Sequence, residues 1–256
     1  MEKNSRIYVA GHNGLVGSAI VRRLIADGYT NMITRCHQDL DLTSQSAVND
    51  FFESEKPEYV IMCAAKVNGI QANREALDQF MYINTMIEFN TIMAVYNNGV
   101  KKYCLAGSEC IYPRDCKQPI KEEYLLTSPL EITNEGYALA KISGLKLCEY
   151  LNTHHPDKTR FISFMPCNLY GPGDNYHPVH SHVIPALIRK FHEAKINNLS
   201  KVGTIAFDHI HSDGTPRKLL DSTRIFNLGW RPKVSFDEGL RLTCENYKIN
   251  YENYCK

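Results

Sequence analysis

Tyr137 and Lys141 stand four positions apart, so a helix would present both side chains on one face. A tyrosine alone titrates at about 10. An ammonium beside it favours the phenolate and makes the phenol a proton donor usable near neutrality. The lysine can also bond the ribose of a nicotinamide nucleotide. By itself, Tyr-x-x-x-Lys is common on helix surfaces. Here it follows Gly107-Ser108, which ends an apolar run and places a hydroxyl where it can hold a substrate carbonyl. It also follows an N-terminal glycine loop, Gly11-His-Asn-Gly14-Leu-Val-Gly17. Glycine loop, serine and Tyr-x-x-x-Lys, in that order, point to carbonyl chemistry with a dinucleotide cofactor.

The glycine loop sits between a predicted strand, Arg6–Ala10, and a predicted helix reaching about Asp27. Gly11 permits the tight turn, and Gly14 lets the backbone approach a pyrophosphate at the helix N-terminus. Gly17 allows the helix to pack closely on the strand. Its G-x-x-G-x-x-G spacing differs from the G-x-G-x-x-G motif, so the strand and helix around it carry the assignment. In NAD binders an acidic residue ends the second strand and holds the ribose 2′-hydroxyl. Here that end reads Thr34-Arg35-Cys36-His37, with no carboxylate before Asp39. The cations Arg35 and His37 favour the 2′-phosphate of NADP.

Apolar runs alternate with helical patterns through the first two thirds of the chain. Strands are predicted at Asn31–Arg35, Tyr59–Ala65, Lys102–Ala106 and Arg160–Met165. Between them, helices are predicted from a Thr43 cap to Glu55, from Asn73 to Asn97 and from Asn134 to Asn152. Such alternation gives right-handed crossovers and a Rossmann-like, doubly wound parallel sheet in the α/β class. Ligands then belong at the carboxyl ends of the strands. Residues 1–170 would form the cofactor domain and 171–256 a small lobe for substrate. In that lobe, helices are predicted at Ser181–Ala194, Arg217–Leu228 and Phe236–Tyr251. A strand is predicted at Thr204–Phe207 and a turn at Ser212–Pro216.

Composition narrows the classes. The net charge of +1 gives no reason to expect nucleic-acid or membrane partners. No window approaches the ~20 apolar residues of a membrane span. The polar N-terminus has no signal-peptide core, and nine cysteines occur without a C-x-x-C pair. Reduced thiols in the cytoplasm are the expectation. His177, His180 and His182 crowd together, but no cysteine or carboxylate spacing accompanies them, and no metal is expected.

Longer stretches carry a resemblance. Ala65–Ile70, Gly107–Pro113, Asn134–Lys141, Met165–Pro172, Asp174–Pro178, Ser181–Ala186 and Asp213–Leu220 are similar to the GDP-L-fucose synthase family of extended short-chain dehydrogenase/reductases. The match covers nearly the whole chain. It implies NADPH-dependent conversion of GDP-4-keto-6-deoxy-D-mannose, with epimerisation at C3 and C5 and then reduction at C4. It implies Tyr137 as proton donor, Lys141 as its tuning partner and Ser108 as the ketone's hydrogen-bond donor. Cys110 and His182 would be the acid/base pair of epimerisation. Cofactor contacts would extend to Leu15, Val16, Asp41, Leu42, Ala106, Gly107, Pro166, Asn168, Leu169 and His182. Asn168, Lys190 and Lys218 would meet the nucleotide sugar, and two copies would dimerise through the long helices.

Departures from that family also show. After Lys195 the family continues with a segment that clamps the nucleotide sugar, whereas this chain passes through Ile196–Lys201 and resumes near Val202. An edge strand is expected to go with it. Glu109 replaces a small hydroxyl residue, which would repel a diphosphate and raise the Cys110 pKa. Lys190 replaces an arginine, which removes bidentate phosphate contact. Asn13 and His37 stand where arginines are frequent. Three readings follow: a working synthase with a shortened lobe, a non-catalytic NADP-binding relative, or another nucleotide-sugar epimerase or reductase.

Overall fold

Ile7–Ala10 forms β1, and all four residues are buried because helices cover both faces of the strand. The computed structural model describes residues 1–178, 180–201, 203 and 214–254. Around β1 lie β2 (Met32–Ile33), β3 (Tyr59–Met62), β4 (Lys102–Ala106) and β5 (Arg160–Phe164). All pair in parallel, in the order β2-β1-β3-β4-β5. The chain leaves β1 toward β2 on one side and returns to β3 on the other. That reversal opens a crevice at the carboxyl end of β1.

Alternation along the strands assigns the two layers. Ile7 and Val9 face α1 (Leu15–Ala26), where they meet Leu24. Tyr8 and Ala10 face α2 (Gln45–Glu55) and α4 (Leu77–Asn97), in a core with Phe52, Ile92 and Val95. The same core receives Cys148 and Leu151 of α5 (Glu135–His154). On β5 the alternation stops short: Phe161 is buried, but Ile162 is 48% exposed. The outer face of that strand has no cover, and the sheet ends there among the described residues.

Several boundaries differ from the sequence expectations. Ser44, not Thr43, caps α2, because its hydroxyl accepts from Ala47 N–H at 3.4 Å while Thr43 turns to Asp41. The single helix expected over 73–97 is two, α3 (Ile70–Glu75) and α4, broken where Ala76 leaves helical geometry. Strands β2 and β3 are shorter than expected. In the last third, α6 is Val183–Ile196, α7 is Thr223–Asn227, α8 is Phe236–Ile249 and α9 is Tyr251–Tyr254. The helix expected from Arg217 starts only at Thr223. Before it, Leu219 and Asp221 exchange backbone hydrogen bonds with Ile120 and pin the chain in an extended form. The strand expected at 204–207 lies outside the described residues, as does the start of the turn at 212–216. Tyr176, Ile188 and Tyr247 form a separate small core for α6 and α8. Among the described residues no helix is long and apolar enough to cross a membrane.

Close packing of α1 on β1 sets one demand on sequence. A methyl group at Gly17 would lie 2.1 Å from the Gly11 carbonyl oxygen, which is backbone and cannot yield. Gly17→Ala is therefore expected to lose about 1–3 kcal/mol of stability, as for an overpacked core. Urea unfolding checks this, and an unchanged midpoint would contradict it.

Candidate active site

A cleft of about 730 Å³ opens at the carboxyl ends of β1, β2 and β3. The Gly11–Gly14 turn forms one wall, and Arg35, His37, Asp41 and Leu42 form another. Gly14 caps α1 with no side chain over the helix N-terminus, so the first amides of α1 remain open to an anion. Leu15 and Val16 begin α1 and Gly17 packs beneath it. The Arg35 guanidinium is bonded to Glu55 and donates to the Thr34 carbonyl at 2.8 Å. Arg6 shares the same Glu55 at 2.6 Å. The cation is thus fixed at the cleft wall, with part of its charge countered. His37 is exposed and 4.0 Å from Asp41.

The residues after β4 make a second cluster. Ser108 starts a single 3₁₀ turn, Glu109–Ile111, and its Oγ accepts from Cys110 N–H at 3.3 Å. Its hydroxyl donates to Glu109 Oε2 at 3.1 Å. The other oxygen of Glu109 accepts from Lys218 Nζ at 2.7 Å, and both side chains are mostly buried. Two consequences follow from this pairing. Glu109 is not an uncompensated anion, because Lys218 neutralises it. Lys218 is not free for substrate in this state, because Glu109 holds it. Burial pushes the Cys110 thiol up to about 12; the Ser108 hydrogen bond opposes this, and Glu109 adds to it.

Tyr137 and Lys141 share one face of α5, as expected, with Nζ 5.7 Å from the phenol ring centre. Lys141 Nζ donates to the Ala106 carbonyl at 3.0 Å and ties α5 to the end of β4, two residues before Ser108. It also lies 2.7 Å from Glu88 Oε1 of α4. Burial pushes the Tyr137 phenol up to about 12, and Lys141 only partly counters this. Near neutrality the phenol therefore keeps its proton, and it is a weaker acid than its spacing to Lys141 alone suggests. The cause is dehydration of the phenol, with Glu88 and Glu109 adding smaller opposition.

Other expected residues are more dispersed. Ala106 ends β4 and Gly107 follows it, and the Pro166 carbonyl accepts the Glu109 N–H at 3.3 Å. Asn168 and Leu169 are exposed in the loop after β5. His182 is exposed at the start of α6 and faces the charge of Asp174. No hydrogen bond or ion pair joins it to Cys110 among the described residues. Lys190 is exposed on α6. His177 and His180 stack with ring centres 4.6 Å apart. Sequence reasoning missed Glu88, and it missed Lys66 and Tyr82 on the cleft wall. Lys66 could have been suspected as a cation just beyond β3. Nothing local in the sequence marks Glu88.

Residues 7–217 match the NAD dependent epimerase/dehydratase family. A putative GDP-L-fucose synthase 2 of Arabidopsis thaliana is 43% identical over 309 residues, covering 98% of this chain and 94% of its own length. The GDP-L-fucose synthase of Escherichia coli is 38% identical over 317 residues, covering 97% and 98%. This chain belongs to the GDP-L-fucose synthases of the epimerase/dehydratase family. Both matched spans exceed its 256 residues, so these family members carry intervening residues with no counterpart here. A solved GDP-mannoheptose C4 reductase of Campylobacter jejuni, with NADP bound, has a TM-score of 0.85 and 30% identity, covering 97% of this chain and 99% of its own. The family fold is thus retained despite the shorter chain.

A thiol held at about 12 leaves on the order of one thiolate in ten thousand at pH 8. Cys110 is expected to resist iodoacetamide at that pH while the partly exposed Cys36 reacts. Glu109→Gln removes a charge that disfavours the thiolate, so it is expected to speed Cys110 alkylation. Peptide mass spectrometry reads both rates. Cys110 reacting as fast as Cys36 in the unmodified sequence would contradict the burial argument.

Proposed function

We propose that this chain is an NADPH-dependent GDP-L-fucose synthase, converting GDP-4-keto-6-deoxy-D-mannose by epimerisation at C3 and C5 and reduction at C4. The supporting observation is the junction of β4 and α5. There the Lys141–Ala106 contact sets Tyr137 and Ser108 at one strand end, beside the dinucleotide cleft. The cleft fits the cofactor: Gly14 leaves the α1 N-terminus uncovered, and Arg35 and Lys66 supply cations. Arg35 and His37 suit a 2′-phosphate, with Gly11 and Gly14 beneath the pyrophosphate. NADPH, when bound, supplies the hydride.

The side chains do the remaining work. Ser108 Oγ holds the C4 oxygen, and Tyr137 delivers the proton to it. Lys141 favours loss of that proton and, after donating to Ala106, keeps N–H groups that can reach the ribose. Cys110 and His182 form the acid/base pair at C3 and C5. Asn168 and Lys190 bind the nucleotide sugar, joined by Lys218 once it leaves Glu109. Residues 1–170 carry the cofactor and 171–256 the sugar nucleotide. Two copies pair through α4 and α5, which leave Met81, Phe89 and Tyr150 exposed. The free thiols of the eight described cysteines suit the cytoplasm.

A second reading, a non-catalytic NADP-binding relative, is favoured by one observation. Glu109 occupies both Ser108 and Lys218. Purified protein given GDP-4-keto-6-deoxy-D-mannose and NADPH decides between them. Consumption of NADPH with formation of GDP-L-fucose is expected, and Tyr137→Phe should cut reduction roughly 10²-fold or more. Solvent deuterium should still enter C3 and C5 in that variant. NADPH binding by calorimetry without any turnover would support the second reading instead.

A further inference from the structure

Glu88 lies in the middle of α4, buried beside Ile87 and Ile92 of the core and the polar Asn84, Asn90 and Thr91, and only 1% of it is exposed. A carboxylate there is costly to dehydrate unless a cation compensates it. Its Oε1 is 2.7 Å from Lys141 Nζ, itself 3% exposed. The facing helix is shaped for the acid. A methyl group at Gly144 of α5 would lie 1.7 Å from Glu88 Oε2, so only glycine leaves room for it. The acid and the lysine therefore meet across the α4–α5 contact, one turn of α5 apart from Gly144.

We propose that Glu88 is a positioning residue that keeps Lys141 charged and aimed at Tyr137. This rests on the reading of Tyr137 and Lys141 as the reducing pair. The ammonium donates to the Ala106 carbonyl and lies in ion-pair contact with Glu88, so its position is set from two sides. Without Glu88, a lysine this dehydrated would shed its proton. Burial works against the Lys141 charge, yet Glu88, with smaller help from Tyr137 and Cys110, holds the lysine above its ordinary value.

Several titratable groups face this pair. Tyr137 is on α5 itself, Cys110 is on the turn after β4 and Cys63 follows β3. Tyr103 of β4 and Cys148 of α5 feel Glu88 from the core side, and Glu109 reaches Tyr137. All except Lys141 are neutral or anionic, so Glu88 is the group whose removal most lowers the lysine. Removing it also takes away a charge that raises Tyr137. Both effects move loss of the active protonation state toward lower pH.

The test compares Glu88→Gln, Lys141→Met and the double variant in the full-length chain. In Glu88→Gln, the alkaline limb of kcat for ketone reduction is expected to move at least one pH unit lower. On the alkaline side of the shifted limb, kcat should fall at least tenfold with little change in KM. Glu88→Asp keeps the charge and should leave the limb in place. Thermal unfolding gives a readout independent of turnover. Each single substitution buries one charge alone, so the double variant should melt above both. An unshifted limb in folded Glu88→Gln, an equal shift in Glu88→Asp, or strictly additive losses in Tm would each overturn the proposal. If the unmodified chain fails to reduce the ketone, the functional reading fails. The unfolding cycle then still decides whether Glu88 and Lys141 act as one unit.

Discussion

An ammonium and a carboxylate, both withdrawn from water, join α4 to α5 beside the proposed proton donor. The Glu88–Lys141 pair is expensive to form and more expensive to break: removing one partner of such a pair costs about 3–5 kcal/mol. The geometry of the site follows from it. Lys141 also holds the Ala106 carbonyl, so the pair fixes the end of β4 relative to α5. Ser108, Glu109 and Cys110 leave directly from that strand end. The side chains proposed for reduction thus stand just past the end of a sheet strand and on a long helix, anchored by the rigid parts of the fold.

The substrate side is built differently. Longer relatives insert residues that this chain lacks, and two apolar surfaces of this chain stand open. Ile162 on β5 is open to solvent, and an apolar groove of about 450 Å³ runs between α6 and α8 past Leu187, Phe191, Phe236 and Leu240. Contact between α6 and α8 is slight compared with that between α4 and α5. Into the remaining cluster Lys218 reaches from the C-terminal segment and pairs with Glu109. In the proposed function, substrate would displace a carboxylate from Ser108 and Lys218 before using them.

Much of this was legible in the sequence, for physical reasons. Buried parallel strands write themselves as short apolar runs, and β1, β3, β4 and β5 were found that way. The glycine loop was legible because a strand and helix flank it. Tyr137 and Lys141 were legible because helical spacing is local. What failed was non-local. Glu88 looks like any acid on a helix, since its burial depends on Gly144 and Lys141 of another helix. Glu109 was visible as a departure, but its neutralisation by Lys218 joins residues far apart in the chain. The helix expected from Arg217 lost its first turn to backbone pairing with Ile120, which propensity does not reveal. The raised phenol of Tyr137 likewise reflects dehydration by the folded protein and not the spacing to Lys141.

The central claim is that this shortened chain keeps a complete reductase site. Transfer of deuterium from NADPH labelled at its transferable C4 hydrogen tests it most directly, with the GDP-sugar product read by NMR. Deuterium at C4 of the sugar, in step with cofactor oxidation, is the expected result. Cofactor that binds but leaves no label on the sugar would contradict it.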